Sequence, residues 1–185
     1  MQSGAEKPER LFIGVPISED ARQSILRSLP KNLPGKLVPA ENWHFTLRFL
    51  GATPGATRDR IVQLLRAATC GAPFTVHFSS LGAFPRPNRA RILWLGIDEG
   101  AERMIQLAAI AEATARVAGF VAESKPFKPH LTLSRIDPPL SVSALVGSKP
   151  RFSARMTVDC LILYRSRLGG GPARYEKVER IRLGR

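Results

Sequence analysis

At 185 residues, 44% hydrophobic and 23% charged, the chain has the size and composition of one well-buried globular domain, or one domain of two lobes. No apolar run approaches the roughly 18 residues of a membrane-spanning helix, and the polar stretch from Met1 to Arg10 lacks a signal-peptide core. The charge is unusual: 28 Lys and Arg against 15 Asp and Glu leave a formal +13 and a pI near 11, which favours an anionic partner, nucleic acid first, over a merely soluble surface.

Residues 1–9 read as a flexible tail, and residues 10–185 as a single domain. Arg10 to Val15 is a short apolar strand ended by Pro16. Ser18 is placed to cap a helix, with Glu19 and Asp20 at its positive end, and that helix runs to about Leu29, before Pro30. Leu37-Val38 is a short extended piece. Trp43 to Leu50 alternates apolar and polar and reads as a strand, broken by Gly51 to Pro54. A second helix is predicted over about Arg58 to Thr69, with Ile61, Leu64, Leu65 and Ala68 at helical spacing. Phe74, Val76 and Phe78 mark the next strand, Leu81 to Asn88 a turn-rich loop, and Ile92 to Ile97 the strand paired through it. A long helix follows from about Glu102 to Ala118, stopped by Gly119. His130 to Ile136 is a strand ended by Asp137-Pro138-Pro139, and Ser141 to Val146 a short helical turn. Phe152 to Tyr164 is a long strand region, Arg165 to Ala173 a Gly-rich loop, and Arg174 to Leu183 the last strand. Helices mixed with strands joined by hairpins make an α+β protein of mostly antiparallel sheet.

One pattern occurs twice. His44-Phe45-Thr46-Leu47 returns 86 residues later as His130-Leu131-Thr132-Leu133, and the chain has only three histidines. On a strand, residues i and i+2 share a face, so each His projects beside its Thr while Phe45, Leu47, Leu131 and Leu133 pack behind. Two such strands facing each other across a cleft would form an acid–base couple, one imidazole taking a proton while the other gives one. The two Thr hydroxyls suit two non-bridging oxygens of a phosphate that gains charge in the transition state. Neither Glu41 nor Asp137 completes a metal-ligand set with the histidines, so neither a metal nor a cofactor is expected. The third histidine, His77, stands in His77-Phe78-Ser79, without the following Leu, and is read as structural or surface. Cys70 and Cys160 lie far apart among apolar residues. They read as buried free thiols, which suits a reducing cytoplasm.

These motifs resemble the two-histidine (2H) phosphoesterases, and most closely their bacterial RNA 2′,3′-cyclic phosphodiesterase branch, also called 2′-5′ RNA ligases. The similarity extends to Arg10-Leu11-Phe12-Ile13-Gly14-Val15, to Gly82-Ala83-Phe84-Pro85 with Leu93-Trp94-Leu95-Gly96, to Phe127-Lys128-Pro129-His130, and to Leu163-Tyr164-Arg165-Ser166 with Arg174-Tyr175. The resemblance implies two pseudo-symmetric α+β lobes, with helices outside and the active-site cleft between them. It implies hydrolysis of an RNA 2′,3′-cyclic phosphate end, or a cyclic nucleotide, to a 2′-phosphate without metal. His44 would be the proton donor and His130 the proton acceptor. Thr46, Thr132 and Arg135 would bind the phosphate, Arg135 matching a family arginine five residues past the second histidine. Strict strand parity puts Arg135 on the face opposite His130, so a bulge or the strand's end must redirect it.

Two rival functions share these features. One is 2′-5′ ligation of RNA ends by the reverse reaction; the other is a basic RNA-binding module without chemistry, against which the intact His and Thr of both motifs speak. A cytoplasmic monomer is the expected state. Seven Lys and Arg between Arg165 and Arg185, with Arg86, Arg89 and Arg91 as a second cluster, mark surfaces that could rim the cleft and hold RNA phosphates.

Overall fold

The structure, a computed structural model, describes residues 7–167, 169 and 173–184. Residues 1–6 of the expected tail lie outside the described residues, as do Arg185 and part of the Gly-rich loop. The elements in chain order are β1 (Glu9–Pro16), α1 (Glu19–Ser28), β2 (Lys36–Leu37), β3 (His44–Thr53), α2 (Gly55–Ala67), β4 (Phe74–Phe84), β5 (Ala90–Ile97), α3 (Ala101–Val117), β6 (His130–Leu140), α4 (Ser143–Gly147), β7 (Arg155–Val158), β8 (Cys160–Arg167) and β9 (Arg174–Arg182). Ser18 caps α1 as its sequence requires, its Oγ accepting from the Ala21 N–H at 3.3 Å.

The strands form one curled sheet in the order β7-β4-β5-β6-β3-β1-β8-β9, with β2 pairing β6, and the recorded pairings are antiparallel. It is built as two lobes of four strands. β6-β5-β4-β7 makes one and β3-β1-β8-β9 the other, and the two motif strands are the inner edge of each. They are neighbours, joined at a single register pair, Phe45↔Leu131. The cleft is the trough above that pair. The face behind it is the core. Phe45 and Leu131 are fully buried there with Leu47 and Leu133, against Ile25 of α1, Ile61 and Leu65 of α2, and Met104 and Leu107 of α3. Five consecutive buried residues, Leu11 to Val15, make β1 a central strand covered on both sides.

Several strands outrun their expected ends. β3 continues through Gly51, whose φ of +70° a glycine adopts without strain, to Thr53. β4 extends to Phe84, well into the expected loop, because Leu81, Gly82, Ala83 and Phe84 all find partners on β5. β6 passes Pro138 and Pro139 to Leu140, since the register skips from Ile92↔Arg135 to Ala90↔Leu140 and demands no N–H from either proline. The expected single strand region from Phe152 to Tyr164 is two strands divided at Asp159. β7 pairs β4 at one edge of the sheet, while β8 pairs β1 in the other lobe. Alternation alone carries no information about which neighbour a strand chooses, so this switch between lobes left no mark in the pattern.

Candidate active site

The antiparallel pair Phe45↔Leu131 fixes the site. One step away on the opposite face, His44 lies on the side of Thr132 and Thr46 on the side of His130, so the two motifs meet about a local two-fold axis. Both strands then carry a bulge at the same place. On β3 the partners of β1 jump from Gly14↔Thr46 to Ile13↔Arg48, leaving Leu47 unpaired. On β6 the partners of β5 jump from Trp94↔Thr132 to Leu93↔Ser134, leaving Leu133 unpaired. Each bulge advances the alternation by one. The residue five past each histidine therefore returns to the open face: Phe49 opposite Phe12, and Arg135 opposite Ile92. This is the device that strict parity requires for Arg135. Gly35 completes it, because at its φ of +83° the chain passes so close to β6 that a Cβ would stand 2.4 Å from the Arg135 carbonyl oxygen.

The histidines are held alike. The Nδ1–H of His44 donates to the Asn42 carbonyl at 2.7 Å, and that of His130 to the Lys128 carbonyl at 2.7 Å. In each case the acceptor is the main chain two residues earlier. With Nδ1 committed as a donor, the neutral ring keeps its lone pair on Nε2, the atom free for proton exchange. His44 Nε2 meets the Thr46 hydroxyl at 2.9 Å, which donates to it when the ring is neutral. His130 Nε2 has no partner among the described residues.

Aromatic walls surround both rings. Phe12 lies 4.7 Å from His44, Tyr175 meets it edge-on at 5.1 Å, and Tyr164 stacks on Phe12 at 4.9 Å. On the other side Phe84 stands edge-on to His130 at 5.0 Å, with Trp94 beyond at 6.3 Å and the Lys128 ammonium 4.5 Å from the Trp94 ring centre. These walls remove water from the imidazoles. Burial pushes His44 down from 6.5 to about 4; the Asn42 carbonyl opposes this, and the Arg135 and His130 charges add to it. His130 is pushed below its ordinary value by the same burial, against the pull of the Lys128 carbonyl and with help from the Lys128 and Arg135 charges. The Arg135 charge bears on both rings, as it would on an anion bound beside them.

All five residues singled out in the sequence thus converge on this trough. His77 does not: it is held on β4 by Asp98 at 2.8 Å and the Phe152 carbonyl at 3.2 Å. Among the described residues no cluster of three or more His, Cys, Asp or Glu is arranged to hold a metal ion. Cys70 and Cys160 are free and buried.

Arg48 escaped notice in the sequence. Its nearly buried guanidinium reaches Glu112 on α3 at 2.6 Å and the Val121 carbonyl, tying β3 to the segment that leads into His130. An arginine on an exposed-looking alternation gives no sign of such a role. Asn42 and Lys128 act on the histidines through carbonyls, which side-chain identity does not reveal.

Three comparisons show what the chain is similar to. A family model described as the 2′-5′ RNA ligase superfamily matches residues 18–170. An RNA 2′,3′-cyclic phosphodiesterase of Escherichia coli K12 is 29% identical over 94% of this chain and 96% of its own length. One from Methanothermobacter thermautotrophicus is 30% identical over 94% of this chain and 98% of its own. Among solved structures, Escherichia coli LigT in apo form, 28% identical, superposes with a TM-score of 0.80 over 97% of this chain and 100% of that one. The same protein complexed with 3′-AMP gives 0.78 over 96% and 99%.

Proposed function

The chain belongs to the 2′-5′ RNA ligase superfamily of two-histidine phosphoesterases, and we propose that it hydrolyses RNA ends bearing a 2′,3′-cyclic phosphate, leaving a 2′-phosphate, by acid–base chemistry of its own side chains. The relatives' name, RNA 2′,3′-cyclic phosphodiesterase, supplies the substrate class. The observation that carries the mechanism is the pair of His–Thr rows about one axis, each imidazole with Nδ1 tied to the backbone and Nε2 held by no more than the Thr46 hydroxyl, on His44.

The cyclic phosphate sits over the Phe45–Leu131 pair. The Thr46 and Thr132 hydroxyls and the Arg135 guanidinium take its non-bridging oxygens, a planar cation with several donors suiting a centre whose charge spreads as it reacts. Water approaches from the His130 side. Its oxygen bonds to phosphorus as the bond from phosphorus to the ribose 3′-oxygen breaks in line. His130 Nε2 takes the water proton and His44 Nε2 gives its own to the 3′-oxygen. The products are a 2′-phosphate and a free 3′-hydroxyl, with the proton now on His130, and exchange with solvent resets the pair.

His44 must be protonated to act as the acid, although burial holds it at about 4 in the free protein. The phosphate supplies the correction, because an anion beside the ring favours the imidazolium and draws a proton into the complex.

The direct test is turnover of adenosine 2′,3′-cyclic phosphate, with the product resolved chromatographically from both AMP isomers. The 2′ isomer alone is expected. Formation of 3′-AMP would reverse the assignment of leaving group, and absence of turnover would leave the RNA-binding reading in its place.

A further inference from the structure

The face of the sheet that carries the histidines continues past them. Register partners project to the same side of a sheet, so rows of side chains can be followed across it. One row runs Thr46–Gly14–Ile162–Arg180, and the next Phe49–Phe12–Tyr164–Lys177. Two residues along β8 from Ile162, Cys160 stands opposite Arg182. The face that begins with the motif on β3 therefore ends on β9 in a basic stripe, Lys177, Arg180 and Arg182. Three strand spacings of about 4.8 Å separate the two, roughly 14 Å, the span of a few nucleotides.

Two further features lie on this face. A cavity of about 360 Å³ opens beside Pro16, the register partner of His44, and is lined by Cys160, Ile162, Asp159, Lys177 and Arg180. Phe49, a large apolar side chain left 61% exposed, stands on the row that leads to Lys177. Between them Phe12, Ile162 and Tyr164 are buried, so the face offers an exposed aromatic at its β3 end and cations at its β9 end; a base stacking on the one while phosphates meet the others is how single-stranded nucleic acid is held.

Part of the C-terminal charge, Arg180 of the stripe included, is already engaged. Arg165 is shared between Glu9 and Glu176, Arg167 also meets Glu176, and Arg180 meets Asp159 at 3.1 Å. Lys177 and Arg182 have no carboxylate partner among the described residues. The cavity with its rim so keeps a positive excess even after Asp159 is counted.

Resting on the reading above that the substrate is an RNA end, we propose that the nucleotides preceding the cyclic phosphate lie across this face, from the trough to β9. The cavity beside Pro16 takes a nucleotide, and Lys177, Arg180 and Arg182 hold the phosphates of the strand. The Arg86–Arg89 hairpin, in the other lobe, is not part of this track.

The experiment compares Lys177→Glu/Arg182→Glu with Arg60→Glu/Arg116→Glu, which makes the same change of charge at exposed positions on α2 and α3, behind the sheet. Affinity for a 5′-labelled single-stranded RNA hexamer is read by fluorescence anisotropy over a salt series. KM is measured for a cyclic mononucleotide and for the hexamer ending in a 2′,3′-cyclic phosphate. The β9 variant is expected to weaken hexamer binding at least tenfold at low salt. It should lower the slope of log Kd against log salt by about 1.4, at about 0.7 for each single-strand phosphate contact. The ratio of hexamer KM to mononucleotide KM should rise with it. Equal effects from the two variants, or a wild type that binds the hexamer no better than the mononucleotide, would overturn the proposal. Failure of the wild type to turn over the mononucleotide, with β9-dependent hexamer binding intact, would refute the hydrolase reading and leave the RNA face standing.

Discussion

In the proposed mechanism alanine at position 44 or 130 removes one half of a proton relay, while leaving the buried residues of the same strands, Phe45 and Leu131, in place. Each substitution is expected to cost about 10²–10⁴-fold in kcat, the usual worth of a positioned acid or base, with the melting temperature held within a few degrees. A loss below tenfold in either would break the two-histidine mechanism. His77→Ala gives the opposite profile: turnover retained and stability reduced by about 1 kcal/mol through the lost Asp98 and Phe152 contacts. The depressed imidazoles make two further predictions. If, as proposed, the phosphate holds the proton on His44 in the complex, the alkaline limb of kcat should lie at higher pH than that of kcat/KM; coincident limbs would show that substrate does not recruit the acid's proton. In the free protein the folded state resists protonating His44 where the unfolded chain does not. Stability is then fully present above pH 6.5 and falls as pH drops toward about 4. His44→Gln should flatten that decline in a series of thermal melts, and an unchanged slope would place the acid sensitivity elsewhere.

At the scale of elements, the legible and illegible parts of the molecule separate cleanly. The doubled motif announced its two strands because alternation and chemistry coincide there, and Ser18 and Gly119 marked helix ends by local physics. The bulges at Leu47 and Leu133 were invisible, since a bulge is a relation between two strands and the residues it skips are ordinary leucines. For that reason the redirection of Arg135 appeared in the sequence only as a requirement. The hairpin β4–β5 contains a comparable relation. Gly82 lies opposite Trp94 with the indole flat upon it, so that an added Cβ would stand 2.2 Å from the ring. Gly82→Ala should drive Trp94 toward Lys128 and His130, costing about 1–3 kcal/mol of stability and raising KM for the cyclic mononucleotide. Normal melting and kinetics would mean that the ring has room to move without disturbing the site.

For the whole molecule, the two lobes bring their chemistry together from distant parts of the chain, and every group assigned a part in the reaction is a protein side chain. Exhaustive chelation should leave the rate unchanged; a collapse reversed by a divalent ion would show that a cation shares the work. The excess of basic residues that suggested nucleic acid is partly spent on holding the fold together, as Glu9 shows by bridging Arg58 and Arg165 at the start of β1. Only the structure could divide those cations from the ones that face outward. The carbonyls that set the two imidazoles carry a consequence of another kind. Backbone oxygens at positions 42 and 128 survive any substitution there, so the placement of both protons is beyond the reach of point mutation at those sites. A change at Asn42 gives up its side-chain bond to the Ala173 carbonyl, and one at Lys128 the cation over Trp94, yet either leaves the same tautomer in place for as long as the strands keep their course.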